Sequence, residues 1–195
     1  MEPRLNRDQL LAILQQWNRF LKRKVHLIAC GGTAMTLLGV KESTRDVDFM
    51  VPDAKERDYL LRTLQQLGYQ QETQYGWQRP REDFRFDLFI GNRIHTTELF
   101  ESPLAEGRNT CFAEYSRLYI GILNDYDLIV SKLIRGLPVD YADSLMLISA
   151  HKQELDIPRL LEHFEEMRLY DISEEKLKIH IQILIEKLRE NDLYE

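Results

Sequence analysis

An α+β fold, with a mixed β-sheet flanked by helices and a helical C-terminal portion, is what this sequence predicts. Three observations carry the prediction. Short apolar runs with strand-like character, at Val25–Cys30, Arg45–Val51 and Phe84–Ile90, alternate with helical stripes up to Leu123. Beyond Leu123 the pattern is helical throughout. No Gly/Ser-rich linker, internal repeat or low-complexity tract interrupts the chain. Residues 1–123 are therefore expected to form a core with its N-terminal helix, and residues 124–195 a helical portion packed on it.

Leu10, Leu14, Trp17 and Leu21 recur at helical spacing, with Asn6 as the N-cap of a helix running to about Lys22. Val25–Cys30 reads as a buried strand, broken by a Gly31-Gly32 turn. Thr33–Leu38 then forms a short helix ending near Gly39. Arg45–Val51 is a strand stopped by Pro52, and Asp53 caps a helix closed by Gly68. Strands are expected around Thr73–Gln78 and Phe84–Ile90, then, after a Gly91-Asn92 turn, at Ile94–Thr97. Weaker extended segments lie at Cys111–Tyr115 and Leu118–Ile122. Four helices follow: from Asn124 or Asp125 to Arg135, from Asp140, over Ile157–Leu169 and over Ser173–Leu188.

Composition narrows the function. The 195 residues are 44% hydrophobic and 30% charged, ordinary values for a soluble globular protein. No apolar run approaches the roughly 20 residues of a membrane helix, and the first residues lack a secretory apolar stretch. A cytoplasmic location with no membrane partner is the expectation. Two cysteines, Cys30 and Cys111, and five scattered histidines give no disulfide framework and no zinc spacing. A net charge of -6 argues mildly against broad nucleic-acid binding.

The chemistry centres on Thr44-Arg45-Asp46-Val47-Asp48-Phe49. On a strand, Asp46 and Asp48 share one face, with Val47 and Phe49 directed into the core. Two adjacent carboxylates repel, so keeping them close calls for a cation. Magnesium suits oxygen ligands and is often held by one or two carboxylates plus substrate phosphates. Asp87 in Phe84-Arg85-Phe86-Asp87-Leu88-Phe89 shares a face with Arg85, opposite Phe84, Phe86 and Leu88. If that strand lies beside the first, Asp46, Asp48 and Asp87 make a three-carboxylate cluster able to hold two magnesium ions, with Asp87 the candidate general base. Gly31-Gly32-Thr33 ahead of a helix is a phosphate cradle: glycines admit a close approach, helix amides favour anions, and the Thr33 hydroxyl adds a hydrogen bond. Each piece alone has a plainer explanation: a solvated strand end, a tight turn, or an acid on a half-exposed strand. Their order and separation point to a site.

This arrangement resembles the signature of the polymerase-beta-like nucleotidyltransferase superfamily: a glycine turn, a short helix, then a strand with paired acids. The stretch GGTAMTLLGVKESTRDVDF is similar to the abortive-infection toxin type and its uncharacterised relatives, and to small antibiotic-modifying nucleotidyltransferases. The resemblance implies a nucleotidyltransferase fold, an NTP substrate, and, for the toxin type, an antitoxin-like protein partner. It extends to Lys132 in Leu128-Ile129-Val130-Ser131-Lys132-Leu133, followed by Arg135, Asp140 and Asp143. By resemblance Lys132 contacts the triphosphate and Asp143 orients it, whereas Asp140 is either part of that motif or a helix cap. Gly32 stands where many active members carry serine, leaving Thr33 to supply any hydroxyl.

Two functions follow. One is magnesium-dependent transfer of an NMP from an NTP to a hydroxyl acceptor on tRNA, protein or a small molecule. The alternative is a catalytically silent nucleotide-binding or protein-interaction module of the same fold.

Overall fold

The computed structural model describes residues 4–171 and 173–194. The chain divides into two compact units, Met1–Asn124 and Asp125–Glu195.

In chain order the first unit contains β1 (Leu5–Asn6), α1 (Arg7–Phe20), β2 (Val25–Ala29), α2 (Gly31–Leu38), β3 (Ser43–Thr44), β4 (Asp46–Val51) and α3 (Ala54–Gln66). It continues with β5 (Gln70–Gln71), β6 (Gly76–Gln78), β7 (Arg85–Ile90), β8 (Arg93–Ile94), β9 (Thr97–Glu98), β10 (Asn109–Glu114) and β11 (Leu118–Leu123). Seven strands form one sheet in the order β10-β11-β2-β4-β7-β6-β5. It is mixed as predicted: β11 runs parallel to β2 and β4 parallel to β7, while the other neighbours are antiparallel.

Helix α1 begins with a capping box, in which the Asn6 side chain accepts from Gln9 N and the Gln9 side chain accepts from Asn6 N. Its stripe of Leu10, Leu14 and Trp17 is buried. Trp17 packs on Phe86 of β7, ring centroids 4.6 Å apart, and its Nε1 donates to the Tyr69 hydroxyl at 3.2 Å. On the neighbouring strand β6, Trp77 is the antiparallel register partner of Phe86. Strands β4 and β7 sit mid-sheet, and Val47, Phe49, Met50, Phe86, Leu88 and Phe89 are fully buried. Both faces of these strands are therefore covered, which is why Asp48 and Asp87 lie much deeper than a half-exposed strand would leave them.

Several elements differ from expectation. Gly31 and Gly32 are not a turn ahead of a helix but the first residues of α2, with Cys30 as N-cap. The Ile94–Thr97 strand is instead a β8–β9 hairpin pairing Ile94 with Thr97, turned by His95 at φ 51°. Only Gly76–Gln78 of the expected Thr73–Gln78 strand is extended, because Thr73 folds back and its Oγ1 accepts from Gly76 N at 2.8 Å.

The second unit holds α4 (Asp125–Arg135), α5 (Pro138–Ala150), α6 (Ile157–Arg168) and α7 (Glu174–Glu190), with α4 touching each of the others. Leu128, Leu133, Leu147, Leu160, Phe164, Leu184 and Leu188 are buried. Helix α5 starts at Pro138, two residues before the expected Asp140. Among the described residues, no helix is long and apolar enough to cross a membrane.

Candidate active site

Parallel pairing of β4 with β7 sets Asp48 directly opposite Asp87, and Asp46 opposite Arg85. Neighbouring strands lie about 4.8 Å apart, so two carboxylates meet across a single strand spacing. Asp48 is 7% exposed and Asp87 5%. Asp46 points to the same face as Asp48 but is exposed at the start of β4.

Helix α2 closes one side of this pair. Its first residue, Gly31, has φ +56°, and a Cβ there would lie 2.5 Å from Asp48 Oδ2. Glycine is required twice over: by the left-handed backbone and by the carboxylate against it. A Cβ on Gly32 would lie 2.9 Å from Thr44 Oγ1, so Thr44 fills the space a larger residue 32 would need. Thr33 is fully buried and its hydroxyl is engaged with β4, accepting from Asp48 N at 2.8 Å and donating to Asp46 O at 3.3 Å. Thr44 Oγ1 also donates to Asp46 O, at 2.7 Å. The hydroxyl assigned from sequence to a phosphate therefore clamps the acid-bearing backbone to α2. The reason is tertiary: β4 arrives beside the first helical turn and takes up the hydroxyl.

A cation stands among the acids. Arg85 donates from Nε to Asp87 Oδ1 at 2.9 Å and from Nη2 to Asp87 Oδ2 at 3.0 Å. Its pKa is raised above the ordinary arginine value, first by the hydrogen bond to Asp87, against an opposing effect of burial; the charges of Asp87, Asp46 and Asp48 add to the rise. The alternation of β7 placed Arg85 on the Asp87 face in the sequence, but gave no sign that it would engage the carboxylate. Gly76 had no signal at all. A Cβ there would lie 2.5 Å from Arg85 Cδ and 2.8 Å from Nε, so the missing side chain makes room for the arginine stem.

Among the described residues no group of three His, Cys, Asp or Glu side chains is arranged to hold a metal ion. The three-acid cluster expected from sequence is therefore a buried, in-register pair plus an exposed neighbour. That donor set fits magnesium nonetheless, because one or two carboxylates with substrate phosphates and water complete its shell. The space a side chain at Gly31 would need is taken by the Asp48 carboxylate, so this glycine seats the acid against the first turn of α2.

Lys132 and Asp143 are brought together within the second unit. Lys132 is 2% exposed, and its Nζ donates to Asp143 Oδ2 at 2.8 Å and lies 4.0 Å from Asp140 Oδ1. Asp140, fully buried, pairs with Arg135 and reaches back to accept from Leu137 N at 3.0 Å. Asp140 is thus not the N-cap of α5, which is Leu137, but its N3 residue, whose carboxylate reaches back to the cap N–H.

Solved structures share this topology. The chain matches the solution structure of the antibiotic-resistance factor ANT(2'')-Ia with a TM-score of 0.54 and 18% identity, over 88% of this chain and 94% of the other. A crystal structure of ANT(2'')-Ia in complex with adenylyl-2''-tobramycin matches at 0.43 and 16% identity, over 92% of this chain and 95% of the other. An antigenic nucleotidyltransferase-like protein from Paracoccidioides brasiliensis matches at 0.47 and 13% identity, over the same shares. No protein-family model matches the sequence, and no curated protein matches it. The fold is that of a nucleotidyltransferase.

Proposed function

We propose that this chain is a magnesium-dependent nucleotidyltransferase that moves an NMP from an NTP to a hydroxyl acceptor, with Asp46, Asp48 and Asp87 as metal ligands. The observation that carries the reading is the in-register opposition of Asp48 and Asp87 beside the glycine-led start of α2. Bound there, magnesium supplies Lewis-acid activation of the triphosphate and neutralises the departing charge. Asp46 and Asp48 hold and orient. Asp87 takes the proton from the acceptor hydroxyl as its oxygen bonds to the α-phosphorus, and the bond to pyrophosphate breaks with the electron pair leaving on pyrophosphate. Backbone amides at Gly31 and Gly32 receive phosphate oxygens. Lys132 and Asp143 are assigned to the nucleotide on motif resemblance alone. The closer likeness to the abortive-infection type, with its antitoxin-like partner, rests on the GGTAMTLLGVKESTRDVDF stretch.

Incubation with α-labelled NTPs, Mg2+ and a panel of tRNA, protein and small-molecule acceptors tests the assignment. Wild type should transfer label; Asp87→Asn should lose about 10²–10⁴-fold and Asp48→Asn should be inactive. Equal labelling by wild type and Asp48→Asn would refute it. One observation favours the second reading, a silent module: the arginine already neutralising Asp87. Nucleotide binding with no labelled product in any fraction would decide for that reading.

A further inference from the structure

We propose that Arg85 is the exchangeable counter-cation of the Asp48–Asp87 pair, seated on Asp87 in the metal-free protein and displaced when a divalent ion binds. The inference rests on the assignment of the acids as metal ligands and goes beyond it to a residue outside the ligand set.

Four features converge. Two buried carboxylates facing each other across one strand spacing need neutralising before any metal arrives. Arg85 meets that need from β7 itself, using two donors on both oxygens of Asp87. A divalent ion on the same carboxylate would stand against a guanidinium, and like charges that close repel. Finally, the arginine has somewhere to go: its side chain is 36% exposed, against 7% for Asp87, so it can turn to solvent without leaving a buried charge unpaired. Its resting position is shaped by Gly76, whose missing Cβ leaves room for the stem. Binding of metal and release of Arg85 are then one event, and the arginine becomes available to solvent or to an incoming phosphate only after the ion is in place.

Mn2+ titration of the full chain, with free Mn2+ followed by electron paramagnetic resonance, tests this without reference to turnover. Arg85→Gln removes the competitor and should tighten Mn2+ binding about fivefold, the equilibrium equivalent of losing a partly exposed ion pair. Gly76→Ala keeps the arginine and its charge but places a Cβ against its stem; it should shift affinity the same way, and keeps the question open to test if Arg85→Gln does not fold. Asp48→Asn should abolish binding. In the wild type, saturating Mg2+ should move the Arg85 Nε–H resonance to a solvent-exposed position. Unchanged or weaker Mn2+ binding in Arg85→Gln and Gly76→Ala, with Asp48→Asn still inactive in binding, would overturn the exchange while leaving the metal site standing. Equal binding by wild type and Asp48→Asn would instead remove the metal site, and the exchange with it.

Discussion

Replacing Gly31 with alanine isolates the closest approach in the site. The new Cβ would lie 2.5 Å from Asp48 Oδ2, whereas ordinary contact begins at 3.4 Å. Something must yield by about 1 Å, and Asp48 is held in a packed setting with its backbone N–H fixed by Thr33. The backbone adds a second cost, since φ +56° strains any residue with a Cβ by about 1–2 kcal/mol. Gly39, at the C-terminal end of the same helix, separates the two effects: its φ is +78° and nothing lies within 4 Å of its Cβ position. Gly39→Ala should therefore lose only the backbone part, about 1 kcal/mol. Gly31→Ala should lose that plus an overpacking cost of about 1–3 kcal/mol, and should weaken Mn2+ binding through the displaced Asp48. Urea unfolding of both variants, with the slopes compared, gives the difference directly. Agreement of the two within about 0.5 kcal/mol, with Mn2+ binding intact in both, would show that the carboxylate does not lie against the helix start.

Thr33→Val keeps the shape but removes the acceptor for Asp48 N and the donor to Asp46 O; urea unfolding should show a loss of about 1–3 kcal/mol, with Thr33→Ser losing less. Lys132→Met removes the ammonium from a buried ion pair with Asp143 and should cost about 3–5 kcal/mol, while the double change Lys132→Met with Asp143→Leu should recover part of it by thermal unfolding. Gly136→Ala combines φ +67° with a Cβ 2.1 Å from the His180 ring, which donates from Nδ1 to Leu133 O. Its thermal midpoint should fall further than that of Gly39→Ala.

Much of the fold was legible because its signals are local. Alternation in Asp46–Val51 and Arg85–Ile90 gave both strands and told which residues share a face, and Asn6 and Asp53 marked helix starts that the caps occupy. Register was not legible: Asp48 and Asp87 are 39 positions apart (87 minus 48), and only strand order sets them opposite. The Thr33 hydroxyl was misplaced for the same reason, since its partners belong to β4, which arrives later in the chain. Strand β5 escaped notice because Gln70 and Gln71 are exposed and carry no apolar alternation. The β8–β9 turn escaped because His95, not glycine, adopts the positive φ.

The two tryptophans of the chain stand against Phe86, one from α1 and one from β6, and Phe86 immediately precedes Asp87. Nature has thus wired an optical reporter into the strand that bears the acid. Their intrinsic emission should register a ligand-driven shift of that strand, so occupancy can be followed in the unlabelled protein by fluorescence alone.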